Sequence, residues 1–214
     1  MTATASAYLD ALLTGRRGEA MKVVDAAREA GMDLRALYLE VFQPALREVG
    51  RLWQENRITV ADEHLATAIT QAAMTRLYTE LFTAPAVPPR LLIAACTDAE
   101  RHEVGLRMVC DLLEMEGWDT LFLGANVPTE DLVSMIVERN PDVVALSAAI
   151  APHLPQVRET IRAIRDATGA NAPLVAVGGR PFVADPGLAE RLGADLTALD
   201  AAEAVAMLQR RFAA

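Results

Sequence analysis

Near the middle of the chain, Glu100-x-His102-x-x-Gly105 has the residue types and spacing of a metal-ligand set. A neutral imidazole is a good ligand for a borderline transition metal. A carboxylate two residues earlier, together with a hydroxyl such as that of Ser147, can fix the tautomer of the ring and raise its basicity. A second carboxylate–histidine pair, Glu63-His64, follows Trp53 after nine intervening residues. The two histidines flank a proline-rich stretch. Each histidine, with its neighbouring carboxylate, is a candidate metal ligand.

Two kinds of element position these residues. Before residue 83 the apolar residues recur at helical spacing and no strand-like alternation appears. Helices are expected over 3–14, 19–30, from Asp33 through Trp53, and from Thr59 to about Phe82. Pro44 should kink or split the third. Thr59-x-x-Asp62 resembles a capping box at the start of the fourth. Short connections between four helices argue for an antiparallel bundle. Residues 83–89 carry three prolines and read as a linker. From Arg90 onward, short apolar runs at 90–96, 119–123, 142–147, 173–177 and 194–197 alternate with helical patterns, including a short helix at Pro186–Leu192. That alternation predicts a doubly wound, parallel, five-stranded Rossmann-like sheet. The expected domains are a helical bundle over 1–83 and an α/β domain over 90–214. In such folds ligands sit beyond the carboxyl ends of the strands, where Glu100, His102, Ser147 and Gly178-Gly179 all fall. No G-x-G-x-x-G follows the first strand, so a dinucleotide fingerprint is absent.

Composition narrows the function classes. The 214 residues carry a net charge of −9, and no Lys/Arg stripe appears, so direct nucleic-acid binding is not expected. No apolar run has the length of a membrane span and the N-terminus lacks signal-peptide character, which predicts a cytoplasmic protein. The two cysteines, Cys96 and Cys110, lie in apolar segments and read as reduced buried thiols.

Three motifs together carry a family resemblance. Gly105 and Ser147 are separated by 41 residues, and Ala149 and Gly178 by 28. Glu100-x-His102-x-x-Gly105, Ser147-x-Ala149 and Gly178-Gly179 resemble the D-x-H-x-x-G, S-x-L, G-G signature of cobalamin-binding domains. The resemblance implies a corrinoid with His102 as lower cobalt ligand, Glu100 and Ser147 orienting it, and a displaced nucleotide tail buried along the sheet. Gly105 and Gly178-Gly179 are then expected to clear the path of that tail. It also implies a helical bundle acting as a cap over the upper face. Glu100 departs from the usual Asp and lengthens the carboxylate arm; Ala149 replaces the usual Leu.

Trp53-x9-Glu63-His64 further resembles the motif of adenosylcobalamin-dependent photoreceptors. That resemblance implies that Trp53 packs against the 5′-deoxyadenosyl group, that Glu63 contacts it, and that His64 becomes the upper cobalt ligand after light cleaves the Co–C bond. Those regulators also carry a MerR-type DNA-binding domain, which this chain, with a helix beginning almost at Met1, is expected to lack. The function expected is a stand-alone light sensor, with an unknown signalling partner and a homo-oligomer, dimer or tetramer. The alternatives are a corrinoid methyl carrier of a methyltransferase system and a cobalamin sensor with an additional bilin. No nucleophile–base pair lies outside the cofactor site, so the chain itself is not expected to be an enzyme. His153, after Pro152, is expected on the surface or capping a helix.

Overall fold

The computed structural model describes residues 1–81, 89–185 and 187–212. All of the proline-rich linker except Pro89, the expected helix end at Phe82 and the expected helix start at Pro186 lie outside the described residues. The chain divides into two compact units, Met1–Leu81 and Phe82–Ala214.

The first unit is a four-helix bundle. Helix α1 spans Ala3–Leu13, and its N-cap Thr2 accepts from the Ala5 amide. Helix α2 spans Arg17–Glu29. The third run is continuous from 34 to 54: α3 (Leu34–Ala36), a π-helical stretch (Leu37–Phe42), and α4 (Gln43–Gln54). Pro44 does not split the run. It has no N–H and its ring crowds the carbonyl four residues back. The turn before it widens instead, and the Gln43 amide bonds five residues back to Tyr38. Helix α5 spans Val60–Leu77 and opens with the reciprocal Thr59–Asp62 capping box. A 3-10 turn, Tyr78–Glu80, follows α5. Tyr8, Tyr38 and Phe42 are fully buried together, with ring centroids 5.2 Å (Tyr8–Phe42) and 5.5 Å (Tyr38–Phe42) apart. The buried Tyr8 hydroxyl is satisfied by Thr70.

The second unit is a five-stranded parallel sheet in the order β2-β1-β3-β4-β5. The strands are β1 (Leu91–Thr97), β2 (Asp119–Val127), β3 (Val143–Ser147), β4 (Leu174–Gly178) and β5 (Leu196–Thr197). Helices α6 (Val104–Glu114), α7 (Thr129–Arg139), α8 (Leu154–Thr168), α9 (Arg180–Ala184), α10 (Leu188–Leu192) and α11 (Ala201–Phe212) connect and follow them. Strands β1 and β3 are buried at nearly every residue, as central parallel strands must be. Ile93, Ala95, Val144, Leu146, Val175 and Val177 form one face, packed with Leu132 and Ile136 of α7 and with Val157, Ile161 and Ile164 of α8.

Two elements differ from the sequence expectation. Strand β2 runs four residues past Leu123, because Gly124 and Asn126 adopt positive φ and bulge the strand rather than ending it. Helix α9 was not expected; it begins directly after Gly179. Among the described residues no helix is long and apolar enough to cross a membrane.

Candidate functional site

The strand order reverses direction between β1 and β3, so a crevice opens at their carboxyl ends. The loop after β1 carries Glu100 and His102; the loop after β3 carries Ala149 and His153. These two loops meet at one carboxylate. Oε1 of Glu100 accepts from the His102 amide at 2.8 Å and lies 2.5 Å from Nδ1 of the His102 ring. Oε2 accepts from the Ala149 amide at 2.7 Å and lies 2.8 Å from Nδ1 of His153. Glu100 is 0% exposed. Burial alone would raise its carboxyl, but the hydrogen bonds from the His102 and His153 rings and from the two amides outweigh it. The group is held well below the usual carboxylate range. With Nδ1 of His102 turned to Glu100, the nitrogen through which this ring would reach a metal is Nε2.

The loop that presents Glu100 is itself pinned. Ala99 sits in the left-handed region at φ 67°. Its amide donates to the Asn126 side chain at 2.9 Å, and the Asn126 amide donates back to the Glu100 carbonyl at 2.9 Å. Asn126, at φ 55°, lies near the end of β2 and tolerates that conformation because its short polar side chain bonds locally. Neither Asn126 nor the role of His153 was legible beforehand. A Gly-x-Asn step after a strand is the one signal that could have pointed to a bulge. His153 ends a 3-10 turn and stands at the N-cap of α8, as one of its two expected placements had it, but its side chain makes no capping bond; the surface alternative is corrected, since the ring turns inward to Glu100.

Ser147, expected to help orient His102, lies at the end of β3 beside Cys96 of β1, and its hydroxyl meets that thiol. The further partners of Glu100 come from Ala149 and His153. Burial, then the charges of Glu100 and Glu103, push the Cys96 thiol up to about 12. Burial also raises Cys110 well above its ordinary value. Both are free, buried thiols.

The three glycines divide. A Cβ added at Gly105 or Gly178 would meet nothing within 4 Å, so space stands open beside each backbone. A Cβ at Gly179 would lie 2.0 Å from the Ala148 carbonyl oxygen, and φ there is +114°. Gly179 is thus required by the chain's own β3 loop, a demand beyond the expected clearance for a ligand. At the carboxyl ends of β1 and β5, the buried hydroxyl oxygens of Thr97 and Thr197 have no hydrogen-bond partner among the described residues. Open space beside Gly105 and Gly178, orphaned hydroxyls and an imidazole whose Nδ1 is turned to a carboxylate fit a corrinoid with a nucleotide tail.

The second candidate set lies within the helical bundle. Trp53 is half-buried near the end of α4. Glu63 and His64 lie in the first turns of α5. The Glu63 carboxylate lies 2.5 Å from Nδ1 of His64 and accepts from the Thr67 hydroxyl at 2.9 Å. The Glu63 side chain is 16% exposed and that of His64 68%.

Comparison with known proteins bears on both units. A family model described as a B12 binding domain matches residues 90–208, and a second of the same description matches residues 4–78. The HTH-type transcriptional repressors CarA and CarH of Myxococcus xanthus are 38% and 34% identical over 164 and 170 residues, which is 75% and 79% of this chain. Those alignments cover 52% and 55% of the repressors, so the chain spans about half their length. Dimethylamine corrinoid protein 3 of Methanosarcina acetivorans is 22% identical over 197 residues, covering 92% of this chain and 91% of that protein. The structure of the Methanosarcina barkeri monomethylamine corrinoid protein shares the fold, with a TM-score of 0.83 at 19% identity over 96% of each chain. The chain belongs to the B12-binding domain family, and it binds cobalamin.

Proposed function

We propose that the chain is a light sensor that binds adenosylcobalamin through His102 and reads its state through Trp53, Glu63 and His64. The observation that carries the reading is the Glu63–His64 pair, an exposed imidazole whose Nδ1 is held by a carboxylate at 2.5 Å. Such a ring offers Nε2 to a metal, and a lone solvated histidine would have no need of that preparation. When bound, adenosylcobalamin supplies a cobalt–carbon bond that light breaks. The protein's part is to bind, orient and respond. Glu100 would hold the His102 ring as a cobalt donor. Gly105 and Gly178 would leave room for the nucleotide tail. Trp53 would offer an aromatic face to the adenosyl group, Glu63 a carboxylate, and His64 a further imidazole donor. Engagement of His64 would bias the bundle toward a second arrangement and change an oligomer, dimer or tetramer, or the surface shown to a signalling partner. The net charge of −9 argues against nucleic acid as that partner. We assign no catalysis to the side chains themselves.

The test is the absorption spectrum and elution volume of the adenosylcobalamin complex in darkness and after green light, for wild type and His64→Ala. A bis-histidine spectrum after light in wild type alone is expected. Identical dark and lit spectra in wild type would sink the proposal.

A second reading, a corrinoid methyl carrier, is favoured by the near full-length match to a dimethylamine corrinoid protein. Preference for methylcobalamin over adenosylcobalamin would support it. A third, an additional bilin, would be supported by far-red absorption after expression with biliverdin.

A further inference from the structure

The Glu100 carboxylate is shared between two histidines, each oxygen taking one backbone amide and one imidazole. One oxygen serves the backbone and ring of His102; the other serves Ala149 and the ring of His153. The last torsion of a glutamate is soft and nearly two-fold. A backbone amide holds each oxygen of Glu100, and the His153 ring adds the side-chain donor on Oε2 that balances the His102 ring on Oε1 and fixes the tilt of the carboxylate. The longer arm of a glutamate is what lets one group reach back to its own loop and across to the loop after β3. His153 is placed for this by its backbone: its amide closes a 3-10 turn onto the Ile150 carbonyl, and Pro152 and Pro155 flank it. Its side chain is 17% exposed, so the bond to Glu100 is shielded from competing water.

We propose that His153 is the positioning residue for His102: by anchoring Oε2 of Glu100 it holds Oε1 on the His102 ring, keeping that ring's proton on Nδ1 and presenting Nε2 to the corrinoid. The proposal rests on His102 as the cobalt ligand. A merely structural His153 would fill space and satisfy one oxygen, and its loss would affect stability without moving a proton on another ring.

Two readouts test it. Long-range proton–nitrogen NMR of the corrinoid-free protein near neutral pH reports the His102 tautomer. Wild type and His153→Asn, whose side-chain amide keeps an N–H donor at the δ position, should both show the Nδ1–H form. His153→Leu should shift population toward the Nε2–H form. In titrations with hydroxocobalamin, His153→Asn should bind within about threefold of wild type, and His153→Leu more weakly than that, up to the roughly 10–100-fold seen when a ligand's own supporting partner is removed. Wild-type tautomer and affinity in His153→Leu overturns the proposal, and so does a loss that His153→Asn fails to restore. His102→Ala tests the assignment beneath it. Unchanged hydroxocobalamin binding in His102→Ala overturns His102 as ligand, whereas reduced binding there beside wild-type behaviour in His153→Leu overturns the positioning role alone.

Discussion

Replacing Glu100 by glutamine keeps the shape of the side chain and changes only its hydrogen-bonding pattern. The carboxylate offers two acceptor oxygens, and each serves two donors. The amide offers one oxygen and an NH2. With the oxygen toward His102, the NH2 faces the Ala149 amide and the His153 ring. His153 can move its proton to Nε2 and accept; a backbone amide cannot. Leaving the Ala149 N–H without an acceptor costs about 1–2 kcal/mol, and converting the charge-assisted bonds to neutral ones costs about 1 kcal/mol more. Glu100→Gln is therefore expected to destabilise the α/β unit by about 2–3 kcal/mol at pH 7. Urea unfolding in a Trp53→Phe background isolates that unit, because Trp118, 7% exposed, is then the sole tryptophan. The pH dependence has a definite sign. The folded-state carboxyl is depressed, so wild type's advantage is fully present above the unfolded pKa of about 4.3 and is lost only as pH falls below it toward the folded value. A difference under about 0.5 kcal/mol at pH 7, within the range of ordinary surface substitutions, would refute the reasoning, as would an advantage that fades already above pH 6.

The glycines should behave oppositely. Gly179→Ala, with its Cβ driven into the Ala148 carbonyl at a φ of +114°, is expected to destabilise by about 3 kcal/mol or more in thermal melts. Gly105→Ala places a methyl in open space within α6 and should be neutral or stabilising by up to about 1 kcal/mol, yet weaken hydroxocobalamin binding in a titration. Asn126→Ala removes the acceptor of the Ala99 amide and the short polar side chain that makes φ 55° tolerable for a residue with a Cβ, for a loss of about 1–3 kcal/mol by denaturant titration. Asn126→Gly relieves the backbone part, and should recover some of that loss while corrinoid binding stays reduced.

Much of the fold was legible because burial leaves a period in the sequence. Continuous apolar runs such as Leu91–Cys96 and Val143–Leu146 are what central parallel strands require, and the helical spacing of the first 80 residues is what a bundle requires. Thr59 and Asp62 announced a helix start through a local, reciprocal bond, and the structure contains that bond. The Pro44 region was not legible. Whether a proline inside a helix kinks it or is absorbed by a widened turn depends on what the neighbouring side chains pack against, and here Tyr38 and Phe42 are locked into an aromatic core.

The same division holds at the site. Sequence by itself determined that a carboxylate, an imidazole and paired glycines occupy the ends of parallel strands, because motif spacing along the chain sets which loop each residue occupies. It could not determine which groups meet across loops. His153 is 53 residues from Glu100, and nothing in its neighbourhood distinguishes it from a surface histidine. Only the order β2-β1-β3 brings the loops after β1 and β3 to one crevice and lets a single carboxylate bind both rings. Gly179 likewise looked like clearance for a ligand; the path of the β3 loop made it clearance for the Ala148 carbonyl. Contacts of that kind depend on the three-dimensional path of two distant segments, which the tertiary structure alone decides.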